Sequence, residues 1–258
     1  MTSRLYWMVA DGWTITRFNL IGATRVPELL VFLTIQPILF VLLFVYVFGG
    51  AIQTPGFDYV DFLIPGIIVQ TVTFNGITTG VGLAEDLGKG VIDRFRSLPM
   101  ARSAVLAGRT AADMVRNVLT IALMLAVGFI VGFSFNAGVL EVVAGLAVML
   151  LFGLAFSWIA ALIGLSVPSA EVAQSAGFIW LFPLTFASSA FVPVATMPAV
   201  VQAFAEINPV TKTVDAVRHL FLGAPYSDAV WQSVLWSVAL IAIFAPLATA
   251  KYRRTSSR

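Results

Sequence analysis

The chain has no cysteine and a single histidine. The first absence removes disulfides, thiolate chemistry and cysteine-based metal sites. The second leaves His219 alone, so a histidine-rich metal cluster is excluded, and no Ser-His-Asp triad remains beyond one coincidental grouping. Charge is scarce too: Asp, Glu, Lys and Arg make up 11% of the 258 residues, with a formal net charge of +2. What abounds is apolar, at 59% of the chain, against about 45–50% in ordinary soluble domains. A water-soluble core of this size cannot hide so much apolar surface. The bilayer must be part of the solvent.

Crossing roughly 30 Å of hydrocarbon takes about 20 mostly apolar residues in helical form. Six segments qualify: residues 29–50, 62–84, 118–135, 142–167, 172–191 and 229–250. None contains Asp, Glu, Lys, Arg or His, and the fourth is long enough to tilt or to run on beyond the membrane. The first run begins too far into the chain, and is too long, for the apolar core of a signal peptide; it also lacks a small-x-small cleavage site. It reads as a retained helix. The expected fold is therefore all-α, a single membrane domain over 1–258 with six transmembrane helices and no internal repeat.

Lysine and arginine in the connections set the orientation. Arg4, Arg17 and Arg25 precede the first span, and Lys89, Arg94, Arg96, Arg102, Arg109 and Arg116 fill the second connection. Lys251, Arg253, Arg254 and Arg258 end the chain, leaving only Lys212 and Arg218 of the 15 basic residues for the opposite side. Both termini are expected in the cytoplasm.

Two flanking stretches are too polar to span and too apolar to be plain loops. Residues 1–28 mix Leu5, Trp7, Trp13, Ile15 and Phe18 with basic residues, which suits an amphipathic helix lying in the cytoplasmic interface. A simple extension of the first span fits the same residues. The outer stretch 192–228 is cut by Pro193, Pro198 and Pro209 into apolar pieces, expected as short outer or re-entrant helices between spans five and six. Asn208 and Pro209 fit the start of a helix reaching Leu222, since asparagine caps and proline tolerates the first turn. His219, beside Arg218, reads as a structural polar contact.

Between spans two and three lies EDLGKGVIDRFRSLPMAR, residues 85–102, the densest gathering of charge in the chain. Its GLAEDLGKG run suggests a phosphate loop, but G-x-x-x-x-G-K-[ST] fails: Leu83 stands at the first glycine position and Gly90 replaces the hydroxyl. Helical geometry serves better. At 100° per residue Leu87, Val91, Phe95 and Leu98 share one face, Glu85, Lys89, Asp93 and Arg96 the other, and Pro99 ends the run. This predicts a short amphipathic helix, and a segment merely floating on the lipid surface fits the pattern equally.

The run EDLGKGVIDRFRSLPMARSAVLAGR resembles the cytoplasmic coupling segment of type-2 ATP-binding-cassette exporter permeases, most closely the daunorubicin/doxorubicin-resistance type of multidrug permease. PELLVFLTIQPILFVLLFVYVFGG, FLIPGIIVQTVTFNGITTGVGLAEDL and INPVTKTVDAVRHLFLG resemble further blocks of that family, in order along the chain. The last matches its Asn-Pro…Arg…Gly signature at Asn208, Pro209, Arg218 and Gly223. The resemblance implies an exporter subunit of the bacterial cell membrane with no catalysis and no cofactor of its own, since two partner ATPase subunits bind ATP and magnesium. A second copy or a sister permease would complete the membrane part, and nucleic acid has no role. Asp86, Lys89, Gly90, Asp93, Arg94, Phe95, Arg96, Leu98, Pro99 and Arg102 occupy the positions that would meet the ATPases.

A hydrophobic drug, natural product or lipid would then move past neutral polar and aromatic side chains of the spans. Gln36, Phe40, Gln70, Phe74, Asn75, Phe178 and Phe182 are the candidates, although such polar groups also bond across helices and such rings also pack or meet lipid. An ion-coupled carrier or channel is the alternative, and a membrane anchor recruiting a partner is a third reading. Carriers of that kind use carboxylates, histidines or broken helices at mid-membrane, and the six spans offer none of these plainly.

Overall fold

The structure, a computed structural model, describes residues 27–89 apart from 53, 55 and 57, and residues 102–255. Every regular element among them is helical. The interfacial helix expected over 1–28 lies outside the described residues except at its last two positions, which open α1.

Helix α1 (Pro27–Leu42) begins on a proline, whose missing N–H costs nothing in a first turn, and passes into a π-helical turn over Leu43–Phe48. Next come α2 (Tyr59–Gly88), α3 (Arg102–Val131), α4 (Val139–Gly164) and α5 (Ala170–Phe186). A 3-10 turn (Val194–Thr196) and two short helices, α6 (Ala199–Ile207) and α7 (Pro209–Leu222), precede α8 (Ser227–Thr255). Helix α2 is the axis of the bundle: α3, α4, α5 and α7 pack around it, and it is buried nearly all round.

Among the described residues four helices are long and apolar enough to cross a membrane: α2, α3 from Gly108, α4, and α8 as far as Arg254. Helix α5 has 17 residues, about 26 Å of rise, short of a ~30 Å hydrocarbon core. The fifth apolar run was expected to continue to residue 191, but its helix stops at Phe186. Pro183 brings no N–H to the final turns, and the Asn208 Nδ2 takes the free carbonyls of Leu184 (2.6 Å) and Ala187 (2.9 Å). The third run likewise ends at Val131, not 135. Gly132 turns the backbone with φ 109°, Phe133 N–H bonds Gly128 O and Gly132 N–H bonds Phe129 O, a Schellman ending. Phe133 and Phe135 then fold back onto Phe129 and Phe221, with rings 4.9 to 6.4 Å apart.

Charge is also closer to the bundle than the apolar runs suggest. Helix α3 starts 16 residues before the third run does, and brings Arg109, Asp113 and Arg116 along the flank of α2. Residues 85–88, expected to open a separate helix, complete the last turn of α2, because nothing before Gly88 interrupts its backbone ladder.

Helices α2 and α4 meet backbone to backbone. A Cβ on Gly164 would lie 2.1 Å from Gly80 O, and one on Gly80 only 2.7 Å from Ala160 O. In lipid, where apolar side chains gain little by leaving the solvent, such close approach is what associates helices. The outer faces of α3 and α8 carry Leu119, Ile130, Leu235 and Ile243 in exposed positions, as lipid-facing surfaces do.

Candidate functional site

Three arrangements hold the residues singled out above. The first lies between α2 and α3, at the end that leads into residues 90–101. Asp86 forms an ion pair with Arg109. Gly82 makes room for it: a Cβ there would meet the Arg109 Nη2 at 2.0 Å. One turn further in, the Thr79 hydroxyl donates to Asp113 Oδ2, while Arg116 Nη1 donates to Asp113 Oδ1 (3.2 Å) and to Thr78 Oγ1 (2.6 Å). Asn75 Nδ2 then donates to Asn117 Oδ1 (3.0 Å) and Thr120 Oγ1 (3.2 Å). Asp113, Asn117 and Thr79 are buried, so each is paired in a place where an unpaired polar group is costly.

Of the residues expected to meet the ATPases, Asp86 is thus engaged within the chain, and Lys89 makes an exposed i,i+4 pair with Glu85 at 2.9 Å. Its hydrogen bond and the Glu85 charge hold the ammonium above its ordinary range. Arg102 lies in the first turn of α3. Gly90, Asp93, Arg94, Phe95, Arg96, Leu98 and Pro99 lie outside the described residues.

The second arrangement is a wall of phenylalanines across α1, α2 and α5. Phe74 of α2 sits 5.8 Å from both Phe178 and Phe182 of α5. The line continues Phe182–Phe186 (4.9 Å), Phe186–Phe191 (5.1 Å), Phe191–Phe44 (4.6 Å) and Phe44–Phe40 (6.1 Å). Phe178, Phe182 and Phe186 keep one side open. Four of the path candidates, Phe40, Phe74, Phe178 and Phe182, are therefore brought into one surface. Gln36 is exposed on α1, whereas Gln70 is buried in α2 and Asn75 is spent on α3. Phe186 and Phe191 were not among the candidates. The i, i+4 spacing of Phe178, Phe182 and Phe186 was the signal for the first; Phe191 joins from outside the helix.

The third arrangement fastens the outer segment. Arg218 is 2% exposed. Its Nε donates to Phe62 O (2.9 Å), its Nη2 to Ser189 O (2.7 Å) and Ala190 O (3.3 Å), and its Nη1 to Asp215 Oδ1 (3.2 Å). The guanidinium also lies 3.4 Å over the Phe62 ring. A planar five-donor fork suits several carbonyls at once; a lysine does not. Asn208 caps α7, accepting from Val210 N–H (2.9 Å), while its amide holds the end of α5. Pro209 is in the first turn, and Gly223 ends the helix at φ 69°. His219 Nδ1 meets Ala224 O. Asn208, Pro209, Arg218 and Gly223 thus form one fastening of α7 to α2 and α5, with Asp215 and Ser189 (2.8 Å) as partners the pattern alone did not reveal.

The ABC-2 type transporter family matches residues 11–222. Over 231 residues the chain is 36% identical to daunorubicin resistance ABC transporter permease protein DrrB1 of Streptomyces coeruleorubidus, covering 90% of this chain and 82% of that protein. It is 24% identical over 224 residues to a probable doxorubicin resistance permease, DrrC, of Mycobacterium tuberculosis, covering 86% and 81%. With YbhR of Escherichia coli, a probable multidrug ABC transporter permease, identity is 25% over 202 residues, covering 78% and 54%.

Proposed function

Because the chain belongs to the ABC-2 type transporter family, we propose that it is the membrane-spanning permease of an exporter that moves hydrophobic or amphipathic drugs, natural products or lipids out of a bacterial cell. It is a multi-pass membrane protein. The family match over most of the chain, with 36% identity to a drug-resistance permease, carries the reading. The Phe wall supports it: flat apolar rings give a greasy substrate contact without a fixed hydrogen-bond pattern.

Six helices cross the membrane in this reading, α1 and α5 among them, with both termini and residues 85–102 in the cytoplasm. The chain binds no nucleotide. Two ATPase subunits hold ATP and magnesium and press on Lys89 to Arg102, where charges set partner choice and register more than affinity. A second permease copy, or a sister chain, faces the Phe wall. An ion-coupled carrier would need a free intramembrane carboxylate. Asp61, Asp113 and Asp215 are each engaged: Asp61 by the Ser134 N–H, Asp113 by Thr79 and Arg116, and Asp215 by Ser189 and Arg218.

The test is reconstitution with the cognate ATPase, using daunorubicin as probe. The permease alone should hydrolyse no ATP, and Arg94→Glu with Arg96→Glu should weaken assembly and ATP-driven transport. Unchanged complex and unchanged transport in that variant would overturn the coupling assignment. Uptake driven by an ion gradient, without ATPase, would favour the carrier.

A further inference from the structure

Helices α2 and α3 are joined by more than apolar contact. Besides Thr78, which accepts from Arg116, the polar contacts on α2 fall at Asn75, Thr79 and Asp86, with Gly82 opening the same face to Arg109. The spacing of four, three and four keeps them on one side of the helix. Their partners on α3 run the opposite way, Asn117, Asp113 and Arg109. The seam covers 12 residues, a rise of about 17 Å, and it stops at Asn75, beside the Phe74 that opens the Phe wall.

We infer that α2 and α3 move as one lever, in which Asp113 is the positioning residue that fixes register, so that displacement at their residue 88 and residue 102 ends reaches Phe74 without slippage. The inference rests on the reading that those ends face the ATPases. Sliding α2 by one turn against α3 would part Thr79 from Asp113, Asn75 from Asn117 and Asp86 from Arg109 together. Asp113 is 4% exposed and could not turn to water in exchange. An apolar interface of equal area sets register by side-chain interdigitation alone, without the added cost of stranding a buried carboxylate.

The chain has no cysteine, so Thr79→Cys with Asp113→Cys introduces one defined pair. Permease and ATPase are reconstituted together, and daunorubicin transported per ATP hydrolysed is read with the pair reduced and oxidised. Co-purification of the ATPase is scored for every variant. Asp113→Asn and Thr79→Val should assemble and hydrolyse ATP, yet transport roughly threefold less or lower per ATP. The reduced pair should resemble them, and the disulfide should restore the ratio. An unaltered ratio in all three variants overturns the lever. So does an oxidised form that loses transport and regains it on reduction, because the helices must then slide. Should these variants fail to assemble, the more open end of the seam answers the question: Asp86→Asn should lower the ratio and the exchange Asp86→Arg with Arg109→Asp should restore part of it, and an unaltered ratio in Asp86→Asn overturns the lever. A permease that never retains an ATPase refutes the reading of the partner; an intact complex with unaltered ratio refutes the lever alone.

Discussion

Replacing Arg218 by methionine tests how the outer segment is held. Methionine fills much of the same volume and removes only the guanidinium, so packing loss stays small. What remains is a Phe62 carbonyl and a Ser189 carbonyl without their donor, and an Asp215 carboxylate without its cationic partner, held by the Ser189 hydroxyl alone. Hydrogen bonds to a charged group contribute about 1.5–3 kcal/mol each, and breaking a buried ion pair from one side costs about 3–5 kcal/mol. These overlap, because one side chain supplies both, so the expected loss is about 3–5 kcal/mol. At about 2–4 °C per kcal/mol for a chain of this order of size, thermal unfolding in detergent should fall by roughly 6–20 °C. Two companions separate the causes. Arg218→Met with Asp215→Asn removes the stranded charge and should recover part of the loss. Arg218→Lys keeps a charge but cannot serve Phe62, Ser189 and Asp215 together, and should fall between wild type and Arg218→Met. If Arg218→Met unfolds within about 1 kcal/mol of wild type, a few degrees, Arg218 is not the fastening. If the double variant is no better than the single one, the Asp215 pairing plays no part.

Gly164→Ala should force α2 and α4 apart, since its Cβ would stand 2.1 Å from Gly80 O; a loss of about 1–3 kcal/mol in thermal unfolding is expected, whereas Gly50→Ala, with open space around it, should change nothing measurable. Asn208→Ala removes the α7 cap and strands the Leu184 and Ala187 carbonyls, with an expected loss of about 2–3 kcal/mol and faster hydrogen exchange at the start of α7. Phe182→Ala breaks the wall between Phe74 and Phe186; daunorubicin transport should drop about two- to tenfold with assembly and ATP hydrolysis intact, and Phe182→Tyr should retain most of it.

Much of this molecule could be read before any folding was known, and the reasons are local. A run of apolar residues is helical in a bilayer because every backbone group must pair within its own segment, so the runs near 62–84, 142–167 and 229–250 found their helices without tertiary knowledge. The helix start at Asn208-Pro209 was legible for the same kind of reason, as capping and φ are properties of one or two residues. Helix ends were less so. Val131 gives way to Gly132, and α5 to Ala187, where the backbone is taken up by Phe133 and by Asn208 from a distant element. Likewise Asp113 had no mark in the sequence. Arg116 is its neighbour on α3 itself, but Thr79 reaches it only once α3 lies antiparallel to α2.

Composition and charge order alone settled that this is a membrane protein and that its basic residues gather in the termini and the second connection, because transfer free energies of side chains add along a chain without regard to contacts. Only tertiary structure decided which polar residues are occupied and which are open. It assigned Asn75 to α3, gave Arg218 to carbonyls of α2 and of the turn that follows α5, and left Phe178, Phe182 and Phe186 with a free side. A hydrogen bond between helices depends on their separation and register to a few tenths of an ångström, and no one-dimensional pattern carries that distance.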